Sequence, residues 1–344
     1  MIGHLNIRVG ILTAPKIEFE QKEKTFILKN VRIGIGFHWD RHEDQEFAGR
    51  LEIRNNTDGT QTAINTIDLE DYLCSVISSE MNANSPMELL KAHAVISRSW
   101  AIRAIEKPNH EGFDVCADDH CQRYEGLKRM NERAVEAVNA TRGQVLMYEN
   151  EICDCRYYKC CGGRTEVWRT CWEDIDVPYI QSVQCDYCKS PLPKVLRLVL
   201  NDYDQETKDF RDWKVTYTQK ELSEIVRTKS GIDFGDIIDL IPLHRGTSGR
   251  IDSLKIVGTK HTEVIGKELK IRLWLSRTCL YSSWFEVKKS FQLSSYNFQL
   301  NGHGWGHGAG LCQIGAAVMA SEGHKYEEIL SYYYVGSRLS APAK

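Results

Sequence analysis

The chain has 344 residues, 42% hydrophobic and 26% charged, with a net charge of −3. That profile belongs to a globular chain with a core of its own, and the length suits one or two domains. The charge gives no global reason to bind nucleic acid or an anionic membrane, and no apolar run approaches the ~20 residues of a membrane span.

The opening MIGHLNIRVGILTAP has no basic n-region, no long apolar h-region and no small-residue cleavage site, so it does not read as an export signal. Residues 5–53 read as short alternating strands, LNIRVGIL, KTFILKNVRIGI and FAGRLEIR, and the Asp58-Gly59 pair predicts a turn after them. Asp68 is the expected N-cap of a first helix, with Glu70 and Asp71 in its first turn and Leu69, Leu73, Val76 and Ile77 at helical spacing. Ser85, Pro86 and Glu88 predict a capping box for a second helix that runs to Glu106. A third helix is expected over 130–141, with Gly143 just past its end. QVLMY and ICDCRYY read as strands, ELSEIVRTKSG as a short helix, and GRIDSLKIVG, TEVIGKELKIRLWL and WFEVKKSFQL as strand and turn. Closing helices are expected over 311–322 and 326–333. Helices that cluster instead of alternating with strands predict an α+β fold.

Four stretches carry candidate chemistry. Glu80 sits at the expected C-terminal end of the first helix, against the negative pole of its dipole and beside Ile77 and Met81. Both surroundings disfavour the charged carboxylate, as a general acid near neutral pH requires. On residues alone a solvated loop glutamate is the favoured reading. His110, Cys116, His120 and Cys121 place two thiols and two imidazoles within twelve residues. That donor set suits a tetrahedral zinc ion, or else the stretch is a polar loop with one buried cysteine. Seven of the twelve cysteines fall in one region: Cys153, Cys155, Cys160, Cys161, Cys171, Cys185 and Cys188. There Cys185-x2-Cys188 could join Cys160, Cys161 or Cys171 at a second metal site, form disulfides, or be small buried apolar residues. Finally, NGHGWGHGAGLCQIGA (301–316) has glycine at every second position from 302 to 310. It fits neither the dinucleotide fingerprint nor a P-loop. Such bare backbone can lie close to a polar ligand along a groove, or pack as a tight turn on the core.

Taken together, these stretches resemble the SpoIID family (stage II sporulation protein D), which shares its domain with the amidase enhancer LytB. The resemblance is carried in order by DYLCSVISSEMNANSPMELLKAHAVISRSWAIRA, CADDHCQRYEG, GGRTEVW with VPYI, SGRIDSLKIVG, GHGAGLCQIGA and EEILSYYYVG. Asn82, His93, Trp100, Cys312 and Ile314 stand where the family more often has Pro, Gln, Tyr, Ser and an aromatic residue. The resemblance implies one unit over 1–344. Its N-terminal strands reach about 65, a catalytic and zinc-loop core covers 66–180, a strand-rich insertion covers 181–295, and the Gly/His loop with closing helices covers 296–344. A central groove is implied, with helices that carry the active site packed on mostly antiparallel strands.

The implied activity is that of a lytic transglycosylase, which cuts the bond between N-acetylmuramic acid and N-acetylglucosamine in peptidoglycan glycan strands and leaves a 1,6-anhydro end. Glu80 takes the place of the catalytic acid. His110, Cys116, His120 and Cys121 take the places of structural zinc ligands, and Gln122, Tyr124, His307 and Gln313 are the implied glycan contacts. The partners implied are glycan strands and, by way of the enhancer, an amidase. The resemblance also allows a non-catalytic enhancer or glycan-binding module, and the cysteines allow a cytosolic zinc or thiol protein on the same fold. The implied place of action is the cell envelope of a sporulating or other host, which would require a leader that this N-terminus does not display; the alternative is the cytoplasm.

Overall fold

The computed structural model describes residues 5–35, 40–82, 84–118, 120–188, 195, 211–292 and 295–340. The expected strand-rich insertion therefore lies partly outside the described residues. Six strands come first: β1 (Asn6–Ala14), β2 (Phe19–Gln21), β3 (Thr25–Ile33), β4 (Arg41–Ala48), β5 (Arg50–Asn55) and β6 (Gln61–Asp68). β6 leads directly into α1 (Leu69–Glu80), and the Asp68 side chain caps that helix by accepting from the Glu70 N–H at 2.9 Å. Next come α2 (Met87–Glu106), β7 (Val115–Cys116), α3 (Glu132–Ala140), β8 (Val145–Tyr148), β9 (Glu151–Ile152), β10 (Tyr157–Tyr158) and α4 (Trp168–Cys171). The second half holds β11 (Asp212–Thr218), α5 (Gln219–Ser230), β12 (Ile237–Arg245), β13 (Ile251–Gly258), β14 (Thr262–Ile265), α6 (Glu268–Trp274), β15 (Phe285–Gln292) and β16 (Ser295–His303). It closes with β17 (Leu311–Cys312), α7 (Gln313–Ser321), α8 (Tyr326–Tyr333) and β18 (Arg338–Ser340).

The fold is α+β, and its sheets are mostly antiparallel. One sheet has the order β5-β6-β1-β7, in which β7 joins β1 in parallel and so hangs the loop after α2 on the N-terminal strands. A second apolar cluster, with Trp213, Leu222, Phe234, Leu254, Phe285 and Phe298 at its centre, belongs to the segment from β11 to β16. The main cluster takes the N-terminal strands, α1 to α3, the cysteine-rich stretch and α7 to α8. Leu69, Tyr72, Leu73, Val76 and Ile77 are buried along α1, and Leu89, Leu90, Val95 and Ile96 along α2. Each such side chain contributes roughly 1.5–3 kcal/mol by leaving water.

Three local expectations are corrected. α2 starts at Met87, with Pro86 at the N-cap and no side-chain cap bond. Glu88 turns away from Ser85 to accept from the Tyr326 N–H at 2.9 Å and to pair with Lys91. Half of TEVIGKELKIRLWL is the helix α6, with only Thr262–Ile265 as strand. Leu311 and Cys312 form a short strand, and the helix begins at Gln313.

Two buried charged side chains tie the halves together. Glu166 accepts from the N–H groups of Val167, Thr247 and Ser248 and from the Ser248 hydroxyl at 2.6 Å. Arg250, fully buried, donates to the Gly306 carbonyl at 3.2 Å and to the Cys161 carbonyl at 3.4 Å. Gly308 lies directly on that guanidinium. Its φ is +88°, and a Cβ there would sit 2.4 Å from Arg250 Cζ. Gly308→Ala is expected to destabilise the chain by about 1–3 kcal/mol from the left-handed backbone alone, read as a lower denaturation midpoint.

Candidate active site

Glu80 is the last residue of α1, where the chain leaves the helix at Met81, which is buried. One carboxylate oxygen, Oε1, accepts from the Arg123 backbone N–H at 3.1 Å and from the Tyr157 hydroxyl at 3.1 Å. The first donor belongs to the loop that carries the His/Cys set, two residues past Cys121. The second comes from β10, 77 positions along the chain. Nothing in the sequence pairs Tyr157 with Glu80, because a tyrosine among cysteines has no diagnostic spacing.

The loop itself is well anchored. β7 pairs with β1, the Arg54 guanidinium donates to the Glu111 carbonyl at 2.6 Å, and the Tyr124 N–H closes back on the Ala117 carbonyl at 3.0 Å. His110 Nε2 lies 3.2 Å from Cys121 Sγ. His120 Nδ1 lies 3.5 Å from Cys121 Sγ and 3.9 Å from Cys116 Sγ. All four donor atoms fall within 4.8 Å of one another. A tetrahedral zinc ion, with Zn–S of about 2.3 Å and Zn–N of about 2.0 Å, sets its ligands about 3.5 Å apart. The separations and the borderline-soft donors both fit such an ion. The Cys121 thiol, followed by the His120 imidazole, draws the Cys116 thiol down to about 4, and Cys116 in turn raises His120. A metal ion bound here would displace the protons that these groups hold.

The four expected glycan contacts each have partners within the protein. Gln122 is buried, accepting from the Tyr72 hydroxyl at 3.1 Å and donating to the Ser97 carbonyl at 3.4 Å. Tyr124 is 1% exposed, its hydroxyl bonded to Asn65 Oδ1 at 2.7 Å and its ring packed between Phe47 and Tyr72, so it offers no free face to a sugar. Both ring nitrogens of His307 are engaged internally: Nδ1 accepts from the Ala309 N–H at 3.1 Å, and Nε2 meets the Tyr157 carbonyl at 3.0 Å. Burial holds that imidazole neutral, well below its usual range, so in this assignment Nε2 carries the proton. Gln313 is 2% exposed and binds His93 Nε2 at 3.1 Å. His93, pushed down to about 3 by burial, packs its ring edge against Tyr157 with centroids 4.4 Å apart. Buried His93 and Gln313 and half-buried His307 thus pack around Tyr157. Gln122 and Tyr124 are the core-side neighbours of Arg123.

The cavity that opens beside the loop, about 790 Å³, is lined by β1, β3, Cys116, His120 and Tyr124 and does not include Glu80. Nearer the Tyr157 strand, the Arg156 guanidinium lies over the rings of Trp100, Trp168 and Trp172, at 5.7, 5.3 and 4.9 Å from their centroids.

A family model described as stage II sporulation protein matches residues 57–148, and a model of a domain of unknown function (DUF8618) matches residues 166–310. The stage II sporulation protein D of Bacillus subtilis is 27% identical over 297 residues, covering 81% of this chain and 76% of its own length. The amidase enhancer of the same organism is 27% identical over 298 residues, covering 78% of this chain and 40% of its own. The SpoIID match over residues 57–148 and these two relatives support the SpoIID/LytB family for this chain. An uncharacterized protein of Brachyspira hyodysenteriae is 29% identical over 292 residues, 85% of this chain and 71% of its own length. The SpoIID match spans Glu80, His110, Cys116, His120 and Cys121, whereas Tyr157, the cysteines beyond 150 and Gln313 lie outside it. No helix among the described residues is long and apolar enough to cross a membrane.

Proposed function

We propose that this SpoIID/LytB chain is a lytic transglycosylase acting on peptidoglycan glycan strands in the cell envelope, with Glu80 as its acid and base. The observation that carries the reading is the carboxylate at the end of α1, held through Oε1 by the Arg123 N–H and the Tyr157 hydroxyl. In its acid form Glu80 gives a proton to the glycosidic oxygen as the C1–O bond breaks. The 6-hydroxyl oxygen of the same N-acetylmuramic acid then bonds to C1, and its proton passes to the Glu80 carboxylate. The ring closes to the 1,6-anhydro sugar, no water is consumed, and Glu80 is restored. One carboxylate suffices for both transfers, unlike the pair needed for ordinary glycoside hydrolysis.

His110, Cys116, His120 and Cys121 would hold a zinc ion whose contribution is structural, since a closed four-ligand set leaves no open position. Their role in the reading is positional, because they fix the loop whose Arg123 N–H meets Glu80. Tyr157 acts on the reaction through Glu80. Tyr157→Phe is expected to lower the cleavage rate about 10-fold, the loss of one hydrogen bond to a charged group. Glycan affinity should be unchanged, and the two effects separate in a comparison of kcat with the dissociation constant.

The name of one relative, the amidase enhancer, supports a second reading as a non-catalytic glycan-binding partner of an amidase. Incubation of the purified chain with glycan strands stripped of stem peptides separates the two. Release of soluble fragments is the expected result. Strands that co-sediment with the chain but stay intact would overturn the enzyme and favour the enhancer.

A further inference from the structure

We propose that Cys161, Cys185, Cys188 and Cys312 form a second metal site, an all-thiolate tetrahedral site for one zinc ion. The four residues come from three separate segments: Cys161 from the stretch between β10 and Gly162, Cys185 and Cys188 from the start and end of the turn at 185–188, and Cys312 from the N-cap of α7. All four are fully buried, and their sulfurs lie within 4.8 Å of one another. This inference does not depend on the glycan reading or on the first site.

The surroundings are built for thiolates. The Cys161 N–H and the Gly315 N–H both donate to Cys312 Sγ at 3.3 Å, and the Gly163 N–H donates to Cys161 Sγ at 3.4 Å. The Tyr333 hydroxyl lies 3.3 Å from Cys185 Sγ. Cys312 also caps a nine-residue helix, where the N-terminal partial charge favours an anion. Gly315 leaves the space open, since a Cβ there would sit 2.9 Å from Cys185 Sγ. Buried thiolates in this number demand a cation. Soft sulfur ligands in a tight tetrahedral group select zinc, and the Cys185-x2-Cys188 pair has the spacing of a zinc chelate. An iron–sulfur cluster would need its cysteines spread around several irons and their bridging sulfides, wider than this group allows. The competing chemistry is a disulfide between Cys161 and Cys188, whose sulfurs are 2.9 Å apart. Cys160, buried and next to Cys161 in the chain, is the competing ligand.

An ion here would clamp the start of α7, and with it Gln313 on His93, to the cysteine-rich strand. The full chain, purified without chelator, is tested by elemental analysis and X-ray absorption at the zinc edge. Two zinc ions per chain are expected. Cys188→Ser and Cys312→Ser should each keep one, and Cys160→Ser should keep both. The double variant Cys116→Ser/Cys121→Ser should keep one, with a shell of sulfur alone at about 2.3 Å. If the Cys188 and Cys312 variants do not fold, the parent shell still decides, since two ions predict three sulfurs for each nitrogen. A parent with a single ion and an all-sulfur shell would support this site and remove the first. A single ion with mixed sulfur and nitrogen ligands, a Cys161–Cys188 disulfide found by peptide mass spectrometry, or loss of one ion in Cys160→Ser would overturn the proposal.

Discussion

Glu80→Gln is expected to lower glycan cleavage by about 10²–10⁴-fold, the usual worth of a positioned proton-transfer group. Gln keeps the shape of Glu and retains a carbonyl oxygen that can accept from the Arg123 N–H and the Tyr157 hydroxyl, which hold Glu80 at 3.1 Å each. The fold around α1 should therefore survive, with an unchanged denaturation midpoint. What Gln lacks is a proton to give the leaving oxygen and a charge to take one back. The check is the initial rate of soluble fragment release from stem-peptide-free strands, with the midpoint measured on the same preparation. A variant that folds and cleaves within a few-fold of the parent would remove Glu80 from the reaction.

Arg98→Leu is expected to cost about 3–5 kcal/mol of stability, the largest structural effect of any single change considered for this fold. Arg98 is 1% exposed and grips Glu70 with two bonds, Nε to Oε1 at 2.9 Å and Nη2 to Oε2 at 2.6 Å. Its other donors reach the carbonyls of Gln144 at 3.1 Å and Val138 at 3.3 Å, and the Gly143 N–H joins Glu70 Oε1 at 3.3 Å. One ion pair thus locks α1 and α2 to the turn that follows α3. Leucine would leave the Glu70 carboxylate shielded from water with a single weak donor. The double variant Glu70→Leu/Arg98→Leu should regain much of the loss, because the stranded charge goes with its partner. Chemical denaturation of both variants measures this, and equal midpoints for Arg98→Leu and the parent would refute it.

What the sequence made legible follows the range of each interaction. The α1 cap was readable because Asp68 and its Glu70 N–H partner are two residues apart. The His/Cys set was readable because all four donors lie within twelve residues. The Gly/His loop stood out, yet it packs on Arg250, just ahead of β13 and 56 residues away, so local pattern could not give its direction. Tyr157 and Glu80 are farther apart still. Tyr124 illustrates a different limit: an aromatic ring beside a candidate site looks like a sugar platform, but burial between Phe47 and Tyr72 is set by tertiary packing alone. In the sequence of α6, Leu269, Ile271, Leu273 and Leu275 alternate like a strand. The fold buries Glu268, Ile271, Arg272 and Leu275 at helical spacing and leaves Leu269 and Leu273 to solvent. An i, i+4 pair between Glu268 and Arg272 at 2.9 Å closes that buried face.

The reaction itself is tested most directly by product mass. The parent chain and Glu80→Gln are incubated with stem-peptide-free glycan strands in ¹⁸O-labelled water, and the fragments are read by mass spectrometry. The mechanism predicts 1,6-anhydro ends without label from the parent and none from the variant, because the sugar's own hydroxyl replaces water. Labelled reducing ends, or equal products from both proteins, would contradict it.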